Sequence, residues 1–208
     1  MLNPSILEVD GVIIEFNNRM VLQDVYLKVE VGEIVALSGR NGTGKTTLLN
    51  YISGIGKMST GSIRINHQRI ESKYRYKHIQ LLPQFHFIPS GLTVKQVLKD
   101  HHLKIDTLIH VFPLFKDKAT QRIKTLSGGE QRLLEVFIVL YSKSDFCILD
   151  EPFNFLSPIH IEAIKTCIKQ QALIKGILIT DHKQEHVMDV ADRHYTILNG
   201  NLVLGNNR

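Results

Sequence analysis

The sequence predicts an α/β protein: parallel strands alternating with helices, an antiparallel β lobe near the N-terminus, and a helical insertion at about residues 85–142. Three patterns carry that expectation. Two long runs rich in β-branched residues open the chain, strands and helices alternate in its last third, and the middle third switches to helical periodicity.

Taken in order, Ile6 to Phe16 and Val21 to Val31 read as strands separated by the polar turn Asn17-Asn18-Arg19. Gly32-Glu33 then turns into Ile34-Val35-Ala36-Leu37-Ser38, a continuous apolar run of the kind buried on both faces of a parallel sheet. A glycine-rich loop follows, then a helix from about Lys45 to Ser53. Ser62 to Asn66 and His78 to Pro83 are further strands. Thr93 is placed to cap a helix through Val94-Lys95-Gln96-Val97-Leu98, and Ile105, Leu108, Ile109 and Phe112 recur at helical spacing. Beyond Asp145 come a strand at Phe146 to Leu149, a helix at Ile159 to Gln171, a strand at Ile177 to Thr180, a short helix, and a strand at Tyr195 to Leu198. No repeat, low-complexity stretch or linker divides the chain, so residues 1–208 are expected to form one domain.

Composition narrows the setting. Apolar residues make up 43% and charged residues 22% of the chain, ordinary values for a soluble protein. No window approaches the roughly 20 apolar residues that cross a bilayer. Met1-Leu2-Asn3-Pro4-Ser5 lacks the charged start and apolar run of a secretion signal. A cytoplasmic protein, held at a membrane only by a partner, is the expectation. The net charge of +5 favours acidic partners. Tyr74-Arg75-Tyr76-Lys77 is too brief a basic and aromatic run to argue for nucleic acid, and none is expected. Cys147 and Cys167 stand among apolar residues and read as small core side chains.

Gly39-Arg40-Asn41-Gly42-Thr43-Gly44-Lys45-Thr46 fits the phosphate-loop pattern G-x-x-x-x-G-K-[ST], with Thr47 following. Glycines let successive backbone N–H groups face one concavity at a helix N-terminus, where they cradle polyphosphate oxygens. Lys45 supplies a charge to the β- and γ-phosphates, and the Thr46 hydroxyl is placed to ligate Mg²⁺. The buried strand before the loop and the helix after it are the context this motif requires. Phe146-Cys147-Ile148-Leu149-Asp150-Glu151 is an apolar strand ending in two carboxylates. At the carboxyl end of a parallel sheet, Asp150 can enter the Mg²⁺ shell while Glu151 stays free to polarise a water for attack on the γ-phosphate.

Leu126-Ser127-Gly128-Gly129-Glu130-Gln131 makes the reading specific. A serine hydroxyl and two glycine N–H groups opening a helix form a second anion site. With the other two motifs in the same order, the chain resembles the ABC ATPase family, whose signature is LSGGE or LSGGQ. The resemblance covers nearly the whole chain and implies a phosphate-loop NTPase core, ATP and Mg²⁺ as ligands, and ATP hydrolysis coupled to transport. It also implies a head-to-tail dimer, with a second copy or another ABC ATPase, and a separate transmembrane permease subunit. In that family the signature Ser127, Gly128 and Gly129 of one subunit close on ATP held by the other. Phe16 occupies the place of the aromatic that stacks on adenine. Gln84 matches the glutamine that touches Mg²⁺ and the attacking water, and His182 matches the histidine that contacts γ-phosphate. Asp150-Glu151-Pro152-Phe153 and Thr180-Asp181-His182 look most like the ATPases of lipopolysaccharide export and branched-chain amino-acid uptake.

Three features depart from the family, one being the helix after the signature, which ends in Phe137-Ile138-Val139-Leu140 in place of the usual Ala-Arg-Ala-Leu. Ser157 stands where an aspartate that couples the two ATP sites is expected. The stretch between Gln84 and Leu126 is short for the helical subdomain. Three other readings stay open. A soluble ABC protein would be expected to carry two fused motors or a coiled coil, and a phosphate-loop kinase would lack Leu126 to Glu130. His182-Lys183-Gln184-Glu185-His186 spells H-x-x-E-H, a zinc pattern if both histidines lie on one helix.

Overall fold

The computed structural model describes residues 5–16, 19–56 and 60–205, with the side chains of Phe16 and Arg19 outside the description. Strands β1 (Ile6–Phe16) and β2 (Arg19–Glu30) form a long hairpin that pairs antiparallel through β1 with β4 (Thr60–Ile65), which in turn pairs with the short β5 (Gln68–Arg69). The expected Asn17-Asn18-Arg19 turn lies outside the described residues apart from the Arg19 backbone. This is the antiparallel lobe.

The second sheet has six strands. Parallel neighbours β9 (Arg193–Leu198), β3 (Ile34–Gly39), β8 (Gly176–Thr180), β7 (Phe146–Asp150) and β6 (Ile79–Leu82) run side by side, with β10 (Asn201–Leu204) antiparallel on β9. The inner strands alternate between two cores. Ile34 and Ala36 of β3, Cys147 and Leu149 of β7, and Ile177 and Ile179 of β8 face one. Val35, Leu37, Phe146, Ile148 and Leu178 face the other. A strand wetted on neither side must be apolar at every position, which is why these runs lack the usual polar alternation.

Helix α1 (Lys45–Ser53) and the antiparallel lobe share one core through Leu48, Leu49 and Ile52 against Leu7, Val29 and Ile63. The opposite core holds α3 (Val94–Asp100), α4 (Ile105–Val111), α5 (Gly128–Leu140) and α6 (Pro158–Ala172). Thr93 caps α3 as expected: its hydroxyl accepts from the Gln96 N–H while Gln96 accepts from the Thr93 N–H. Short α2 (Ser72–Arg75) and α7 (Gln184–Met188) are the remaining α-helices among the described residues. Among the described residues, no helix is long and apolar enough to cross a membrane. Cys147 and Cys167 are both buried and free, and burial pushes the Cys167 thiol up to about 11.

Candidate active site

Four parallel strands end at one edge of the sheet, and each delivers part of a single site. The loop after β3 carries Gly39 to Gly44. Gly44, at φ 96°, caps α1, and a Cβ there would strike Val21 Cγ1 at 2.8 Å. Only glycine gives this turn both its left-handed backbone and its seat against β2. Lys45 folds back so that its ammonium donates to the carbonyls of Gly39 (2.7 Å) and Arg40 (3.0 Å). Burial holds its pKa below the ordinary lysine value, opposed by the nearby carboxylates of Asp150 and Glu151. Thr43 donates its hydroxyl to the Arg40 carbonyl at 2.8 Å, tightening the loop.

Strand β7 brings up the carboxylates. Asp150 is 2% exposed, and burial raises its pKa, with a hydrogen bond from Thr46 working the other way. Glu151 follows with φ 53°, its N–H bonded to the Thr180 carbonyl of β8 at 2.8 Å. That left-handed kink coincides with a carboxylate that faces the cleft. His182, just past β8, meets Glu151 Oε1 at 2.5 Å, and Gln84, just past β6, donates to Oε2 at 3.0 Å. Lys45, Thr46, Thr47, Gln84, Glu151 and His182 line one cleft of about 750 Å³ with Asn41, Gly42 and Gly44. Its far wall is Ile14, Glu15 and Val21 of the β1–β2 hairpin. Phe16 pairs with Arg19 at the end of that hairpin, but its side chain lies outside the described residues.

The oxygen donors fit a magnesium ion. Thr46, Asp150 and Gln84 offer hydroxyl, carboxylate and amide oxygens, the hard ligands such an ion takes. A buried carboxylate whose charge is disfavoured, beside a hydroxyl, is also where a cation relieves the most desolvation cost.

Ser127, Gly128 and Gly129 do not line that cleft. Ser127 caps α5 instead, its hydroxyl accepting from the Glu130 N–H while Glu130 accepts from the Ser127 N–H. Lys118 reaches Glu130 at 2.5 Å. Gly129 packs so closely that an added Cβ would sit 2.9 Å from the Phe155 carbonyl. The Ser127 and Gly128 surfaces are exposed.

Two readings need correction. Glu151 is not free: both its oxygens are engaged, and Asn154 Nδ2 also donates to Oε2 at 2.5 Å. His182 lies before α7 rather than on it, so it shares no helical face with His186, whose ring packs edge-on against Phe153. The H-x-x-E-H pattern therefore makes no zinc site, and the described residues contain no group of three or more His, Cys, Asp or Glu side chains that could hold a metal ion. Arg75 is buried and donates to the carbonyls of Tyr51 (2.6 Å) and Ile70 (3.2 Å).

Sequence reasoning missed the group that ties the site together. Arg132 of α5 is fully buried and donates to the carbonyls of Pro83 (2.8 Å), Asp150 (2.7 Å) and Glu151 (2.8 Å). Glu135, equally buried, lies 3.4 Å from Arg132 and accepts from His86 Nδ1 and the Phe87 N–H, both at 3.0 Å. The helix that begins with Ser127 thus grips the segments bearing Gln84 and Glu151. The available signal was a charged pair three residues apart at the head of an apolar helix, with Glu135 the one charge in Leu133 to Leu140.

Known proteins share this sequence pattern and fold. A family profile described as "ABC transporter" matches residues 22–154. The high-affinity branched-chain amino acid transport ATP-binding protein BraG of Pseudomonas aeruginosa is 33% identical, the match covering 95% of this chain and 91% of that protein. The lipopolysaccharide export system ATP-binding protein LptB of Haemophilus influenzae is also 33% identical, over 96% of this chain and 89% of its own length. A solved structure of the ATP binding subunit of an ABC transporter superposes with a TM-score of 0.84 at 25% identity, covering 97% of this chain and 90% of that one. The chain belongs to the ABC transporter ATP-binding protein family.

Proposed function

We propose that this chain is the ATP-hydrolysing motor of a transporter, and that it works as one domain with its helical insertion at about residues 85–142. The observation that carries the reading is the convergence of Lys45, Thr46, Gln84, Glu151 and His182 on one cleft while Ser127 to Gly129 stays outside it. A second anion site that cannot serve its own chain's cleft suits a head-to-tail pair, in which each signature closes on the other subunit's ATP.

In this account Gly39 to Thr47 cradles the phosphates, with Arg40, Asn41 and Thr43 shaping the loop and Lys45 countering the β- and γ-phosphate charge. Phe16 stacks on adenine. Thr46, Asp150 and Gln84 would hold Mg²⁺, which would supply charge neutralisation for the phosphates. Glu151 orients and deprotonates the attacking water, and His182 contacts the γ-phosphate. Lys45 and Thr46 open α1, and Gln84, Asp150, Glu151 and His182 stand at or just past strand ends, so closure of the pair would exclude water at little further cost in ordering. The subunit would sit on the cytoplasmic face of a membrane through a permease partner, and the relatives' names support that placement. Isolation of the protein from membranes, with associated polypeptides identified by mass spectrometry, tests it. A membrane-spanning partner retained through washing is the expected result. Recovery of the chain only in the soluble fraction, free of any such partner, would favour a soluble ABC ATPase instead.

A further inference from the structure

Glu151 carries more hydrogen-bond donors than its two oxygens need from the cleft alone. His182 meets Oε1, and Gln84 and Asn154 share Oε2. These donors differ in attachment. Gln84 and His182 stand on separate segments that follow β6 and β8, and both line the cleft. Asn154 belongs to the turn Glu151 itself begins: the Asn154 N–H bonds the Glu151 carbonyl at 3.3 Å, and its side chain returns to the carboxylate at 2.5 Å. It does not line the cleft. Its amide must present NH₂ to Oε2, because its own carbonyl there would set two acceptors face to face.

We infer that Asn154 is a positioning residue that keeps the Glu151 carboxylate aimed into the cleft when Gln84 and His182 turn to other partners. The inference rests on the reading of Glu151 as the group that activates water. Gln84 and His182 have competing work in that reading, toward the metal and the γ-phosphate. Only Asn154 moves with the same turn as Glu151 and has no other assigned task. The left-handed backbone at Glu151 makes such a restraint useful, since a strained residue persists only where its surroundings over-determine it.

Substitution separates a hydrogen-bonding role from a filling one. Asn154→Asp keeps the shape but replaces the donors with a second carboxylate, whereas Asn154→Ala removes the side chain. The expected result is a kcat loss of about tenfold in Asn154→Ala, the scale of one lost charged hydrogen bond, and a larger loss in Asn154→Asp. KM and the Kd for a fluorescent ATP analogue should stay within about twofold, because the residue acts through Glu151 and not on nucleotide. In nucleotide-free protein, Asn154→Ala should lower Tm by about 3–8 °C beside Glu151 and much less in a Glu151→Ala background. Turnover at the unmodified level in Asn154→Asp, or equal Tm effects in the two backgrounds, overturns the inference. Glu151→Gln separates the two levels. If it hydrolyses ATP normally, the reading beneath fails and this inference with it. If it is inactive while both Asn154 variants keep full kcat, the inference alone fails.

Discussion

Arg132→Met asks how much of the site depends on one buried cation. The guanidinium has no exposed surface, and its partners are three carbonyls and the Glu135 carboxylate. Methionine fills much of the same volume but leaves all four acceptors without that donor. Removing one partner of a buried ion pair costs roughly 3–5 kcal/mol. Glu135 keeps its bonds from His86 and Phe87, which argues for the lower half of that range. At about 2–4 °C per kcal/mol for a chain of this size, a loss of about 3–4 kcal/mol lowers Tm by roughly 6–16 °C. The functional loss should exceed what stability explains, because the stranded carbonyls belong to the residues that aim Gln84 and Glu151. Thermal melts and phosphate release at a temperature where the variant is fully folded test both parts. Adding Glu135→Gln to Arg132→Met should recover several degrees by removing the stranded charge, while the amide oxygen still accepts from the Phe87 N–H and the amide NH₂ donates to His86 Nδ1 in its other ring tautomer. A fall of less than about 3 °C in Arg132→Met, with kcat unchanged, would refute the reasoning.

Two further outcomes follow from the same geometry. Burial raises the Asp150 pKa above its unfolded value, so its ionised form costs stability; that cost is absent at low pH, appears as pH rises past the unfolded pKa, and is complete above the folded one. Asp150→Asn should therefore raise Tm of the nucleotide-free protein at pH 7 by about 2–4 °C while abolishing the further rise that MgATP gives the unmodified chain; a lower Tm, or a normal MgATP response, would contradict this. Ser157 is the exposed N-cap of α6 with no side-chain cap bond, so Ser157→Asp should add modest helix-dipole stabilisation and raise cooperativity from a Hill coefficient of about 1 in the unmodified protein; strong cooperativity before substitution would count against it.

The parallel core was legible because the inner strands β3, β7 and β8 are apolar through almost their whole length, and a strand that touches two cores has no other way to be built. α1 has the bounds that the phosphate-loop pattern suggested, since the loop glycines and the helix start are one feature. β5, α2 and β10 were not legible: they are short, partly polar, and formed by what they pack or pair against. Buried charges were the systematic blind spot. Lys175, only 3% exposed, donates to main-chain carbonyls of Ser142 and Ser144, and Arg75 and Arg132 also spend donors on carbonyls. Such partners leave no side-chain motif in the sequence. The residues of the phosphate loop could be grouped from spacing alone. The Asn154 contact could not, because it depends on a turn whose backbone is left-handed at Glu151 and again at Phe155.

The central claim is that Glu151 activates water on ATP held between two copies of the chain. Glu151→Gln keeps the side chain's size, replaces one of its two acceptor oxygens with NH₂ and removes the carboxylate's basicity. Phosphate release and size-exclusion chromatography, each with and without MgATP, measure both halves of the claim. The expected result is phosphate release lower by about a hundredfold or more, nucleotide affinity within a few-fold of the unmodified chain, and elution at the size of a dimer only with MgATP. Normal phosphate release from Glu151→Gln, or a variant that stays monomeric at saturating MgATP, would contradict the account.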